Sequence, residues 1–208
     1  VRPGAGDVLL VVDVQNDFLP GGALAVPDGD AVIAPINRLA EGFAHVVLTQ
    51  DWHPPGHVSF ATSHPGRAPF EAVARPYGSQ MLWPDHCVQG TEGAALAPGL
   101  RATHAELVIR KGHRRDVDSY SAFVEADRTP TGLAGYLRER GFTRVVVCGL
   151  ATDYCVAWTA LDARAAGFSV AVVADAVRGI DQDGSVARAW AEMVAAGVER
   201  IATGDIAA

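Results

Sequence analysis

Cysteine is scarce in this chain: three thiols, Cys87, Cys148 and Cys155, in 208 residues. An odd number with no close pair at zinc-finger spacing excludes a disulfide framework, and a reducing cytoplasm is the simpler inference. A basic excess is lacking too. Lys and Arg total 17 against 24 Asp and Glu, a formal net charge of −7. That argues against a nucleic-acid or membrane-surface partner, because both require basic patches. No apolar run approaches the length of a membrane span, and residues 1–6 contain no signal-peptide core. The chain opens on Val1 instead of Met, which reads as processing or trimming. Internal repeats are absent as well.

What is present suits a folded domain. Apolar residues make up 49% of the chain and charged residues 20%, enough for a sizeable core in a single domain spanning 1–208. Short β-branched runs alternate with Ala-rich stretches, the pattern of an α/β fold whose parallel sheet is covered by helices on both faces. Strands are predicted at 7–12, 44–50, 106–110, 144–148, 169–173 and 199–202, which makes six. Helices are predicted at 30–41, 131–140, 153–166 and 183–196, the last three stopped by Gly141, Gly167 and Gly197. Residues 51–104 break the rhythm. They hold seven of the 12 prolines and five of the seven histidines, with no clear strand. Being rich in Trp, His and Pro, this insertion is expected to be ordered and functional.

Ligands of open parallel sheets bind beyond the carboxyl ends of the strands. That rule gathers Asp13, Asp51, Lys111 and the turn Gly149-Leu150-Ala151-Thr152-Asp153-Tyr154-Cys155 on one rim. Any one of these could be an ordinary surface charge or buried thiol, but four strands delivering them together points to chemistry. Cys155 falls in the first turn of a helix, whose free N–H groups favour a thiolate and can stabilise an oxyanion. Asp13, following an apolar strand, is expected to hold its proton and act as base, with Lys111 as the balancing charge. Cys148, inside an apolar strand, reads as a packing residue. Asp51-Trp52-His53 points a carboxylate and an imidazole to one side of an extended segment, and His57 and His86 lie in the same insertion. Asp with two or three His is a ligand set for one divalent ion: zinc first, with iron or manganese also suited. His45, His64, His104 and His113 read as solvent-facing or hydrogen-bonding residues.

Six blocks in order carry a family resemblance: Asp13-Val14-Gln15-Asn16-Asp17-Phe18, Asp51-Trp52-His53-Pro54-Pro55-Gly56-His57-Val58-Ser59-Phe60, Trp83-Pro84-Asp85-His86-Cys87, Arg110-Lys111-Gly112, Asp118-Ser119-Tyr120-Ser121-Ala122-Phe123 and Gly149-Leu150-Ala151-Thr152-Asp153-Tyr154-Cys155-Val156. Together they resemble the nicotinamidases (pyrazinamidases) among the isochorismatase-like cysteine hydrolases, over residues 7 to about 202. The resemblance implies a Rossmann-like, three-layer fold with a six-stranded parallel sheet. It implies a catalytic triad of Asp13, Lys111 and Cys155, and an oxyanion hole from the amides of Ala151 and Cys155 beside a cis Leu150–Ala151 peptide. It also implies metal ligands Asp51, His53 and His86, and aromatic pocket walls Phe18, Trp83 and Tyr120. Some relatives bind the metal through a histidine at the place of His57, while others leave that position to water held by neighbours such as Ser59. The implied reaction is hydrolysis of nicotinamide to nicotinate and ammonia through a Cys thioester, the metal anchoring the pyridine nitrogen, with pyrazinamide also a substrate. Rival expectations are an N-carbamoyl amide or ureidoacrylate hydrolase, a metal-centred hydrolase using bound water, or a non-catalytic metal-binding module. A homo-oligomer is compatible with all of them.

Overall fold

The computed structural model describes residues 2–206. Its main sheet is six-stranded: β1 (Asp7–Val12), β2 (Val46–Asp51), β5 (Leu107–Lys111), β6 (Arg144–Leu150), β7 (Ser169–Arg178) and β8 (Glu199–Ile201) stand in the order β5-β2-β1-β6-β7-β8. Every pairing in it is parallel. A separate antiparallel hairpin, β3 (Ala72–Arg75) and β4 (Gly78–Met81), lies within the insertion.

Period-two alternation explains the layers. In β1, Leu9 and Val11 face one side of the sheet, where they pack with Ile36, Leu39 and Ala40 of helix α1 (Ile33–Gly42). Val8, Leu10 and Val12 face the other side and meet α2 (Leu133–Glu139), α3 (Ala157–Ala165) and α4 (Ser185–Ala195). Strands buried on both faces must be apolar at every position, which is why β1 and β6 read as continuous hydrophobic runs. Each buried Val or Leu contributes about 1.5–3 kcal/mol, so a charge introduced at Val11 or Val146 would unseat the sheet.

The six strands match expectation, with shifted ends. β6 continues two residues beyond 148, and β7 runs past 173 to Arg178 with a register shift between Val147 and Gly149. The hairpin is a correction. Its four-residue strands are half exposed and alternate weakly, so no periodicity marked them. Among the described residues, no helix is long and apolar enough to cross a membrane.

Candidate active site and metal centre

β1 and β6 are neighbours, yet the chain builds outward from them in opposite directions. The crevice at their carboxyl ends is therefore a topological switch point, the place where open α/β sheets bind ligands. Asp13 follows β1 directly, and Cys155 follows β6 by five residues. From β5, across β2, Lys111 reaches into the same crevice. The strand-end reading thus brings Asp13, Asp51, Lys111 and Cys155 together.

Asp13 is fully buried and sits at φ +47°, a left-handed conformation that Asp tolerates better than most residues. Thr49 fixes it twice: its Oγ1 accepts the Asp13 N–H at 3.1 Å and donates to Asp13 Oδ1 at 2.6 Å. Lys111 is the single lysine of the chain and is wholly buried. Its Nζ lies 2.7 Å from Asp13 Oδ2 and 3.3 Å from Cys155 Sγ, donates to Ser119 O at 3.2 Å, and pairs with Asp51 Oδ1. One ammonium therefore touches Asp13, Cys155 and the residue that heads the histidine cluster.

The charges follow from this packing. Burial alone would lower Lys111, but Asp13 and then Asp51 outweigh it and hold the ammonium charged. Asp13 is raised above the ordinary carboxylate range by burial, with Lys111 opposing. Burial would raise Asp51 too, but Lys111 and His53 overcome it and hold Asp51 well below that range. Burial also pushes the Cys155 thiol well up, Lys111 opposing and Asp13 and Asp51 adding to the rise. The last result corrects an expectation. A turn rich in free N–H groups was expected to favour a thiolate, but a buried sulfur beside two carboxylates rests as a thiol. It needs a base, and Asp13 is the group at hand: carboxylate oxygens of Asp13 and Asp51 and the Cys155 sulfur all lie within 4.8 Å of one another. The turn is also a π-helical one, Thr152–Val156, closed by Val156 N–H donating to Ala151 O at 3.1 Å, and it leads into α3. Leu150–Ala151 is a cis peptide, as the resemblance implies.

Asp51, His53 and His86 form the cluster that suits a metal ion. The Nε2 atoms of His53 and His86 stand 3.5 and 3.8 Å from Asp51 Oδ2. Two ligand atoms bound at 2.0–2.1 Å to a tetrahedral ion stand ~3.4 Å apart, so the spacing fits. The other ring nitrogens settle the tautomers: Nδ1 of His53 lies 2.9 Å from Gly112 O and Nδ1 of His86 2.8 Å from Pro84 O. A carbonyl can only accept, so each Nδ1 carries the proton and each Nε2 lone pair is left for a cation. Two neighbouring groups fail the same test. His53, His57 and Asp118 also lie close together, but His57 Nε2 faces Val117 O at 3.2 Å and its Nδ1 faces Ser59 Oγ at 2.7 Å. The Asp13, Asp51 and Cys155 group already holds the Lys111 ammonium. His57 stacks on His53 instead, centroids 4.2 Å apart and planes 25° apart.

Neighbours brace this cluster. Gln15 donates its amide to Asp51 O at 2.8 Å and accepts the Asp51 N–H at 2.8 Å. Asp17 Oδ2 accepts the Cys87 N–H at 2.7 Å, anchoring the residue after His86. Beside it opens a small cleft lined by Cys155 and Ala151. Phe18, Trp83 and Tyr120 line it, with Trp83 Nε1 donating to Tyr120 Oη at 3.1 Å. Leu24, Asp118, Tyr154 and Ile180 line it too and were missed. Tyr154 adjoins Cys155 in sequence and could have been found. Leu24 and Ile180 are lone apolar residues in loops and carry no such signal. His45 pairs with Glu106 at 2.5 Å and His64 Nε2 lies 2.8 Å from Val58 O, while Cys148 is buried in β6, as expected of packing and hydrogen-bonding residues.

Comparison with known proteins places these features in context. The isochorismatase domain model matches residues 7–205. A nicotinamidase of Acinetobacter baylyi is 56% identical over 95% of this chain and 93% of its own length. The solved structure of an Acinetobacter baumanii nicotinamidase/pyrazinamidase superposes with a TM-score of 0.97 at 56% identity, covering 98% of this chain and 99% of that one. A pyrazinamidase of Pyrococcus horikoshii, solved in complex with zinc, gives 0.77 at 38% identity over 95% and 99% of the two chains.

Proposed function

The chain belongs to the isochorismatase domain family, and we infer that its site makes it a nicotinamidase, an amide hydrolase converting nicotinamide to nicotinate and ammonia. The relatives sharing 56% of its residues over nearly its whole length carry that activity in their names, and pyrazinamidase activity accompanies it. They speak against the rival readings of an N-carbamoyl amide or ureidoacrylate hydrolase and of a non-catalytic module. The observation that carries the chemistry is the buried lysine in contact with Asp13, Asp51 and Cys155.

The reaction follows from the groups in place. Asp13 takes the Cys155 proton while Lys111 stabilises the charge on both partners. The thiolate attacks the carboxamide carbon, and the amides of Ala151 and Cys155 meet the oxyanion. Asp13 returns its proton to the departing ammonia. It then deprotonates a water that attacks the thioester, releasing nicotinate and restoring the thiol. Phe18, Trp83 and Tyr120 confine the aromatic ring. Asp51, His53 and His86 would hold one divalent cation, and zinc suits their spacing, as iron or manganese would with added water ligands. When bound, such an ion supplies a Lewis-acid position for the pyridine nitrogen. His57 and Ser59 bond to each other and support His53 from behind, a positioning role rather than ligation.

The test is ammonia release from nicotinamide by wild type and Cys155→Ala, each with and without chelator. Wild type should turn over, chelator should lower that rate, and Cys155→Ala should bind ligand without turnover. Full activity in Cys155→Ala would overturn the mechanism.

A further inference from the structure

Asp153 lies two residues before the nucleophile and is buried, yet its carboxylate is aimed away from Cys155 chemistry. Oδ1 accepts the Ile180 N–H at 3.0 Å, and Oδ2 accepts the Asp181 N–H at 2.9 Å and the Ser185 hydroxyl at 2.5 Å. These partners lie 27, 28 and 32 residues away, at the end of β7 and the start of α4. The segment it grips has two aspartates at positive φ, Asp181 at +56° and Asp183 at +51°, a conformation open to Asp at modest cost that contacts from neighbours help to fix. Gly179 shows how closely the segment approaches. A Cβ there would stand 2.2 Å from Val186 Cγ2 and 3.0 Å from Asp153 Oδ1. The residue held in this way, Ile180, is the one whose side chain lines the cleft with Ala151, Tyr154 and Cys155.

We propose that Asp153 is a positioning residue that sets ring selectivity: its carboxylate latches the 179–185 segment to the nucleophile's turn, and so fixes Ile180 as the wall that limits substituents on the substrate ring. The proposal rests on the nicotinamidase reading above. Wall and nucleophile are then referenced to one carboxylate, so the ring is confined relative to the sulfur that must attack its carboxamide. Three charge-assisted hydrogen bonds make such a latch stiff. Loosening it should enlarge the pocket without touching the reacting groups. A single methyl group in an apolar pocket is worth roughly 10–200-fold in discrimination, which sets the scale of the effect.

The experiment measures kcat and KM for nicotinamide and its 2-, 4-, 5- and 6-methyl derivatives in wild type, Asp153→Asn, Ile180→Ala, the double variant and Ser185→Ala. In Asp153→Asn, KM for nicotinamide should rise about tenfold and kcat should fall less than threefold. The kcat/KM ratio of at least one methyl isomer over nicotinamide should rise about tenfold. Ile180→Ala should reproduce that change, and the double variant should add less than about twofold to it, since both lose the same wall. Ser185→Ala removes one of the three bonds and should move the ratio in the same direction by less, which keeps the test usable if Asp153→Asn folds poorly. An equal fall of kcat on every substrate, with unchanged ratios, would overturn the latch and assign Asp153 to the nucleophile's turn. Wild-type turnover with unchanged ratios in all variants overturns the latch alone, whereas no wild-type turnover of nicotinamide overturns the activity and the latch together.

Discussion

Lys111→Met tests whether the active site is also a point of structural tension. The substitution keeps most of the side-chain volume and removes the charge that touches Asp13, Asp51 and Cys155. Breaking a buried pair by removing one partner costs about 3–5 kcal/mol, because the other charge stays behind uncompensated. For a domain of this size each kcal/mol moves Tm by about 2–4 °C, so the expected drop is about 6–20 °C at pH 7.5. The pH dependence has a definite sign. Asp13 already lies above the ordinary carboxylate range because burial outweighs Lys111, and Lys111 is the strongest influence holding it down. Without the lysine it rises further. A carboxyl raised in the folded state binds its proton more tightly there, so ionising it costs stability as pH rises through the folded value. The deficit should therefore be greatest near neutrality and shrink as pH falls towards 5. Thermal unfolding by circular dichroism at both pH values measures it. A deficit below about 1 kcal/mol at pH 7.5, or one that grows on acidification, would refute the reasoning. Asp13→Asn in the Lys111→Met background should recover part of the loss, since one of the two stranded carboxylates is then gone.

Other outcomes follow from the same geometry. Cys155→Ala should lower ammonia release by at least about a thousandfold while calorimetry still detects ligand binding. Elemental analysis should find one divalent ion per chain, retained in His57→Ala but bound about tenfold or more weakly in His86→Ala, because of these two histidines His86 alone has an Nε2 free to ligate. Gly112→Ala should also weaken metal retention: its Cβ would stand 2.4 Å from His53 Cε1 at φ +65°. Iodoacetamide at pH 8 should leave Cys148 unmodified, since that thiol is wholly buried and burial pushes it well above the ordinary thiol range. Mass spectrometry of Cys148-containing peptides checks this, and rapid modification there would contradict the packing described.

Much of the site was legible because its residues are placed by strand ends. A buried parallel strand announces itself by an unbroken apolar run, and the polar residue that ends it must project into the crevice. Asp13, Asp51 and Lys111 are found at strand ends, and Cys155 in the turn that follows β6. The tautomers of His53 and His86 were not legible, since they depend on carbonyls of Gly112 and Pro84 that no spacing reveals. Nor was the resting state of Cys155. A local turn argues for a thiolate, but the burial that decides the matter comes from the whole fold. The Asp153 contacts span 27 to 32 residues and leave no periodic trace. Leu24 and Ile180 are silent for the opposite reason, being unremarkable apolar residues until the fold sets them beside the cleft.

The solitary lysine has a practical corollary. With every other strong cation an arginine, the folded surface offers amine-directed reagents no side-chain target, and the one side-chain amine they could acylate lies at zero exposure in the crevice. Acylation of Lys111 therefore requires the crevice to open. Its rate, followed by mass spectrometry, becomes a clock for local unfolding of the catalytic centre, much as amide exchange is for backbone.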